Sequence, residues 1–150
     1  MQTAKQLSVT LVNKPGRLAS LLGALNKGKV NLRALSVMDC GERGTLRFVP
    51  DDLDQALEVL EKASIRCDVT EVVLIDIPNQ PGSFSRICER LAAEHLNIDY
   101  AYSSFDSAGR SKGAMVAVVK VNDLVKARRV LSENGTTSRR KPGRRPAHAR

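Results

Sequence analysis

Asn13-Lys14-Pro15-Gly16-Arg17-Leu18 is the stretch with the clearest capacity for chemistry, and its pattern returns sixty-six positions later as Asn79-Gln80-Pro81-Gly82-Ser83-Phe84. Each copy stands between an alternating apolar run and a segment with helical apolar spacing. At such a junction the first backbone N–H groups of the helix, those of Gly16, Arg17 and Leu18, lack intrahelical acceptors, and the helix dipole adds partial positive charge. A carboxylate is stabilised there. Gly16 has no Cβ, so a small ligand can come close to its backbone. Asn13 before the turn and Asn31 before the neighbouring strand each carry a donor and an acceptor able to orient amino and carboxyl groups. Asn79, Gly82, Ser83, Phe84 and Asn97 repeat the set. Taken singly, Asn-x-Pro-Gly is a good turn and each Asn a local cap. Recurrence of the whole set in register makes these residues candidates for ligand binding, although duplication would also preserve a purely structural turn.

The elements that must position these residues are legible from apolar period. Leu7, Val9 and Leu11 overlay Val73, Ile75 and Ile77 as one face of a strand. Leu18, Leu21, Leu22 and Leu25 overlay Phe84, Ile87, Cys88 and Leu91 as the stripe of an amphipathic helix. The first copy reads as a strand from Gln6 to Val12, a helix from Pro15 to Lys27 with proline at its first position and Gly28 as its C-cap, strands from Val30 to Met38 and Thr45 to Val49, a helix after Asp51-Asp52, and a short fourth strand from Ile65 to Thr70. The second gives a strand from Val72 to Ile77, a helix from Pro81 to His95, strands from Ile98 to Phe105 and Ala114 to Val121, and a helix from Asp123 to about Glu133.

This order predicts an α+β fold of two ferredoxin-like βαββαβ units, each an antiparallel sheet with its helices on one face. The units span residues 1–70 and 71–135, followed by a basic tail at 136–150 expected to be disordered. The fourth strand fails to recur, because Gly135-Thr136-Thr137-Ser138-Arg139-Arg140 stands in its place. The second sheet is therefore expected to be three-stranded or frayed. Uncovered sheet faces and edges, including Leu35, Val37, Val116 and Val118, predict a homodimer.

Charge and composition bear on the function classes. The formal net charge is +8, but Arg139, Arg140, Lys141, Arg144, Arg145 and Arg150 supply most of it from the acid-free tail, which leaves about two charges for the rest. The body is not a basic nucleic-acid surface. Tyr100, Tyr102 and Phe105 lie on one strand, yet Tyr100 and Tyr102 appear on the core face with Ile98 rather than on an RNA-stacking face. Nucleic acid remains a partner only through the tail. Three widely spaced cysteines, Cys40, Cys67 and Cys88, read as reduced thiols of a cytoplasmic protein, and no apolar run has membrane-spanning length. His95 reads as a helix-end residue and His148 lies in the tail. No Ser-His-Asp set, metal-ligand cluster or GxGxxG is present, so the chain is read as non-enzymatic, without cofactor or metal.

Val9 to Leu18 followed by Lys29-Val30-Asn31-Leu32 resembles the ACT domain, the small-molecule regulatory module of amino-acid metabolism, and Ile75 to Phe84 with Leu96-Asn97-Ile98 resembles a second copy. The resemblance implies effector binding at interfaces between ACT units, with contacts from Asn13, Gly16, Arg17, Leu18 and Asn31 and from Asn79, Gly82, Ser83, Phe84 and Asn97. Serine-binding members carry a histidine two residues before the turn's Asn. Leu11 and Ile77 stand there instead, which speaks against serine and favours a more apolar effector, or none. ACT units usually regulate a catalytic domain on the same chain, for which there is no room here, so the expected function is a free-standing amino-acid sensor or a regulatory subunit of an amino-acid biosynthetic enzyme. The reading from another class is a nucleic-acid-associated protein that uses its tail.

Overall fold

Both copies of the pattern form, and they share a single sheet. The computed structural model describes residues 1–105 and 114–132. In chain order these hold β1 (Gln2–Val12), α1 (Arg17–Lys27), β2 (Leu32–Cys40), β3 (Arg43–Pro50), α2 (Leu53–Lys62), β4 (Asp68–Pro78), α3 (Ser83–Ala93), β5 (Ile98–Phe105), β6 (Ala114–Val121) and α4 (Leu124–Ser132). The strands run antiparallel to their neighbours in the order β2-β3-β1-β4-β6-β5.

Strand sharing replaces the expected pair of separate sheets. The two strands expected at Ile65 to Thr70 and Val72 to Ile77 are one strand, β4. Its first half, from Asp68, pairs with β1 and closes the first unit, while Val73 to Pro78 pair with β6 in the second. β1 is shared in the same way: Leu7 to Val12 pair with β3, and Gln2 to Ser8 pair with β4. The place of a fourth strand in the second sheet is thus taken by the first residues of the chain, with Gln2 opposite Leu74 and Ala4 opposite Val72. Among the described residues the second unit has three strands of its own, β4, β6 and β5, as expected, and its edge is covered by a strand already at hand rather than left frayed. Residues 135–140 lie outside the described residues.

Each unit packs its own helices onto one face of the sheet. Leu7, Val9, Leu46 and Phe48 meet Leu21, Leu25, Ala56 and Leu60 in the first core. Val73, Ile75, Ile77, Val119 and Val121 meet Leu91, Ala127 and Val130 in the second. The opposite face was expected to be bare, but it carries a third cluster of Ala34, Val49, Val72, Leu74 and Val118, flanked by Ala4, Tyr102 and Val116. Twist accumulated over six strands brings the outer strands β2 and β5 into contact, where the Ser104 hydroxyl donates to the Arg33 carbonyl at 2.8 Å. Val118 is therefore fully buried and Val116 half-buried, whereas Leu35 and Val37 remain 41% and 56% exposed on the β2 edge.

The tyrosines also change face. The register slips by one residue between Ile98 and Tyr100, leaving Asp99 as a bulge, so Ile98 packs under the helices while Tyr100 and Tyr102 project from the other side. The first unit has the same slip between Leu32 and Ala34. Alternation extrapolated through a bulge assigns every later side chain to the wrong face.

Candidate functional site

The x-Pro-Gly turn takes the same backbone path in both copies. Lys14 N–H donates to Val12 O at 2.9 Å and Arg17 N–H to Lys14 O at 3.3 Å, while Gln80 N–H donates to Pro78 O at 2.8 Å and Ser83 N–H to Gln80 O at 3.2 Å. Gly16 has φ 84° and ψ −12°, and Gly82 has φ 81° and ψ 0°. These are type II turns with proline at the first corner and glycine at the second. The helices start at Arg17 and Ser83, so the prolines stand in the turn ahead of each helix and not at its first position. Glycine is required at both positions for the left-handed φ. Space is not the constraint, since a Cβ at either would meet nothing within 4 Å.

Gly28 behaves differently. Its φ of −79° suits any residue, and the left-handed residue closing α1 is Lys29, at φ 57°. A Cβ on Gly28 would fall 2.3 Å from Val59 Cγ2, so glycine is there to let α1 approach α2. His95, at φ 55°, closes α3 as Lys29 closes α1, with Leu96 N–H donating to Leu91 O at 2.9 Å and Val30 N–H to Leu25 O at 3.0 Å.

Within one unit the candidate residues do not converge. Asn13 N–H donates to Glu42 O at 2.8 Å and its Nδ2 to Gly41 O at 3.3 Å, which pins the turn to the β2–β3 hairpin. Asn31 lies at the opposite end of β2, roughly 30 Å along the sheet by strand rise. Its N–H donates to Asp51 Oδ1 at 3.0 Å and its carbonyl accepts from Asp51 N–H at 2.9 Å. Asn97 repeats this with Asn122, at 3.0 and 3.2 Å, and its Nδ2 also donates to Asp99 Oδ1 at 3.0 Å. The backbones of Asn31 and Asn97 therefore hold strand starts to the segments that lead into α2 and α4. Because β1 and β4 are antiparallel, Asn97 shares the end of the sheet that carries the Asn13–Leu18 turn, and Asn31 shares the end that carries the Asn79–Phe84 turn.

A cleft adjoins each turn. Beside the first lies one of about 450 Å3, lined by Ser8, Thr10, Leu11, Val12 and Arg17 together with Ser64 to Cys67 of the connection between α2 and β4 and Asp68 at the start of β4. Beside the second is a largely apolar cleft of about 230 Å3, lined by Phe84, Ala101, Tyr102, Ser103, Met115 and Ala117. Arg17 and Phe84 are the candidate residues that line them, while Leu18 packs against the first core. Ser83 is buried, and its hydroxyl has no partner among the described residues. Burial, with the Asp68 charge adding to it, pushes the Cys67 thiol up from its ordinary pKa. Ile65 to Cys67, expected within a strand, form instead a connection off the sheet that ends at Asp68, the start of β4, and a strand assignment gave Arg66 and Asp68 no reason to face Arg17. Among the described residues, no cluster of His, Cys, Asp and Glu suits a metal ion, and no helix is long and apolar enough to cross a membrane.

A duplicated ferredoxin-like βαββαβ architecture, with a type II Pro-Gly turn at matching strand-to-helix junctions, defines the class of fold. The chain belongs to the ACT domain pair family, whose model matches residues 2–137. It is similar to protein BT0572 from Bacteroides thetaiotaomicron, at 33% identity over 89% of each chain with a TM-score of 0.81. The regulatory subunit of aspartate kinase from Thermus thermophilus, in its ligand-free form, shares the fold at 18% identity, over 87% of this chain and 91% of that one, with a TM-score of 0.60. E. coli aspartokinase III in complex with lysine and aspartate does so at 15% identity, over 89% of this chain and 30% of that one, with a TM-score of 0.53. No curated protein matches the chain.

Proposed function

We propose that this ACT pair is a non-catalytic cytoplasmic sensor that binds a free amino acid and passes its occupancy to an enzyme of amino-acid metabolism as a regulatory subunit. The observation that carries the reading is the twinned turn: the same type II Pro-Gly geometry opens α1 and α3, and Arg17 and Phe84 reach from these starts into adjoining clefts. Family membership supports it, and so does the name of the Thermus thermophilus neighbour, a regulatory subunit of aspartate kinase. Asn13, Gly16, Arg17, Leu18 and Asn97 would serve one end of the sheet, and Asn79, Gly82, Ser83, Phe84 and Asn31 the other. The exposed apolar residues Leu35, Val37 and Met38 of β2 support assembly as a homodimer through that edge.

An amino acid has few heavy atoms, so at no more than ~1.5 kcal/mol per atom, and usually far less, micromolar to millimolar affinity is expected. The test is a thermal-shift screen against the twenty amino acids, with nucleotides and a short RNA as controls. A ligand that binds only the folded state raises the midpoint. A shift confined to chemically related amino acids sustains the proposal; a response to RNA alone, lost on truncation after Gly135 and steeply dependent on salt, replaces it with the tail-based reading.

A further inference from the structure

We infer that the 450 Å3 cleft beside the first turn is a site for an α-amino dicarboxylate. The inference rests on the sensor reading, names the ligand class at one of its two turns, and replaces there the more apolar effector that Leu11 suggested in the sequence, because Arg17, Arg66 and Asp68 line the same cleft.

The cleft exists because β4 joins β1 late. Their pairing begins at Ser8 opposite Asp68, so Thr10, Leu11 and Val12 have a strand neighbour only on the β3 side. Before Asp68, Ile65 and Cys67 pack into the first core and draw the chain off the sheet. A gap opens between the end of β1 and this connection.

Its charges are what select a ligand. Arg17 lines it from the first turn of α1, Arg66 from the connection and Asp68 from the start of β4. Among the described residues neither guanidinium holds an ion pair. Each presents a planar fork suited to a carboxylate. Asp68 offers an acceptor for an ammonium group. Two guanidinia and one carboxylate leave the cleft with one net positive charge, matched by two ligand carboxylates and one ammonium. The hydroxyls of Ser8 and Thr10 add neutral donors and acceptors on the same wall. Sixty-six positions on, Ser83 occupies the place of Arg17, so the second turn lacks this guanidinium.

The experiment uses the whole chain and compares L-glutamate and L-aspartate with L-glutamine, L-asparagine and glutarate, by thermal shift and calorimetry at millimolar concentration. The acidic amino acids should raise the midpoint by a few degrees, and their neutral amides should not. Arg66→Gln should weaken L-glutamate by about tenfold or more. Asp68→Asn should weaken L-glutamate while sparing glutarate, which has no ammonium group. Lys27→Gln, which removes an equal charge at the far end of α1, should leave binding intact and so rules out a general effect of net charge. Equal shifts from glutamine and glutamate, or undiminished binding in Arg66→Gln, would overturn the inference. If neutral amino acids shift the midpoint and acidic ones do not, the cleft assignment falls while the sensor reading stands. If none of the twenty acts, both fall.

Discussion

Gln6 and Tyr102 meet across the two units: the Tyr102 hydroxyl donates to Gln6 Oε1 at 2.8 Å, while Gln6 Nε2 donates to the Tyr100 hydroxyl at 2.6 Å. Gln6 is completely buried, and the Arg47 guanidinium stacks 4.1 Å from the centre of the Tyr100 ring. This polar knot lies on the sheet face away from the helices and ties the strand shared by both units to β5. Removing one partner strands the other in a dry site. Tyr102→Phe should cost about 1–2 kcal/mol and Gln6→Ala about 2–4 kcal/mol in denaturant unfolding. A double variant costing the sum of the singles would show that the pair is not coupled.

Tyr102 also makes stability depend on alkaline pH. Burial, reinforced by Tyr100 and partly offset by Arg47, raises its pKa well above the ordinary tyrosine value. A raised folded-state pKa favours the protonated form, so the contribution is complete below the unfolded value near 10 and is lost as pH rises from there towards the folded value. Unfolding measured from pH 8 to 11 should show a steeper alkaline decline in the parent than in Tyr102→Phe. Parallel profiles would contradict the assignment.

The contact between α1 and α2 predicts the effect of filling Gly28. With Val59 Cγ2 only 2.3 Å from the position of an added Cβ, Gly28→Ala should destabilise by about 1–3 kcal/mol despite the better helix propensity of alanine. Pairing it with Val59→Ala should recover part of that loss. A neutral or stabilising Gly28→Ala would mean that the helices move apart freely.

At Lys29, Ser64 and His95 the chain turns left-handed after α1, α2 and α3 without glycine. The conformation costs a non-glycine residue roughly 1–2 kcal/mol, partly cancelled by the extra freedom glycine brings to the unfolded chain. His95→Gly should therefore raise stability by up to about 1 kcal/mol, read from the thermal midpoint. The same change at Leu91, within α3, should lower it by several kcal/mol, since that side chain is fully buried.

Deleting residues 1–5 tests the strand exchange. The deletion removes Gln2 to Lys5 from Leu74, Val73, Val72 and Glu71, and so bares the edge of the second unit while sparing the β1–β3 pairing of the first. At about 1 kcal/mol per ladder hydrogen bond, a loss on the order of 3 kcal/mol is expected. Hydrogen exchange should quicken in β4 and β6 more than in β3. Uniform quickening would show that the units unfold as one body.

Elements whose information is local could be read directly. The duplication, the helix stripes from Leu18 and Phe84 and the Pro-Gly turns depend on period and turn chemistry within a few residues, and each stands in the structure within the usual boundary error. The pairing of strands is another matter, because β propensity says which residues are extended and nothing about their neighbours. Whether β4 is one strand or two, and what closes the second sheet, was decided by long-range competition for open backbone edges. The faces of Tyr100 and Tyr102 turned on a single bulged residue. Arg66 and Asp68 were read as part of a strand from Ile65 to Thr70 and not as a site, and only folding, which starts β4 at Asp68 and takes Arg66 off the sheet, sets them beside Arg17. The sequence alone determined the repeated unit and the chemistry of its turn. The tertiary structure decided how the two units are joined and which side chains surround each turn, because sheet register and closure are set by contacts between residues far apart in the chain.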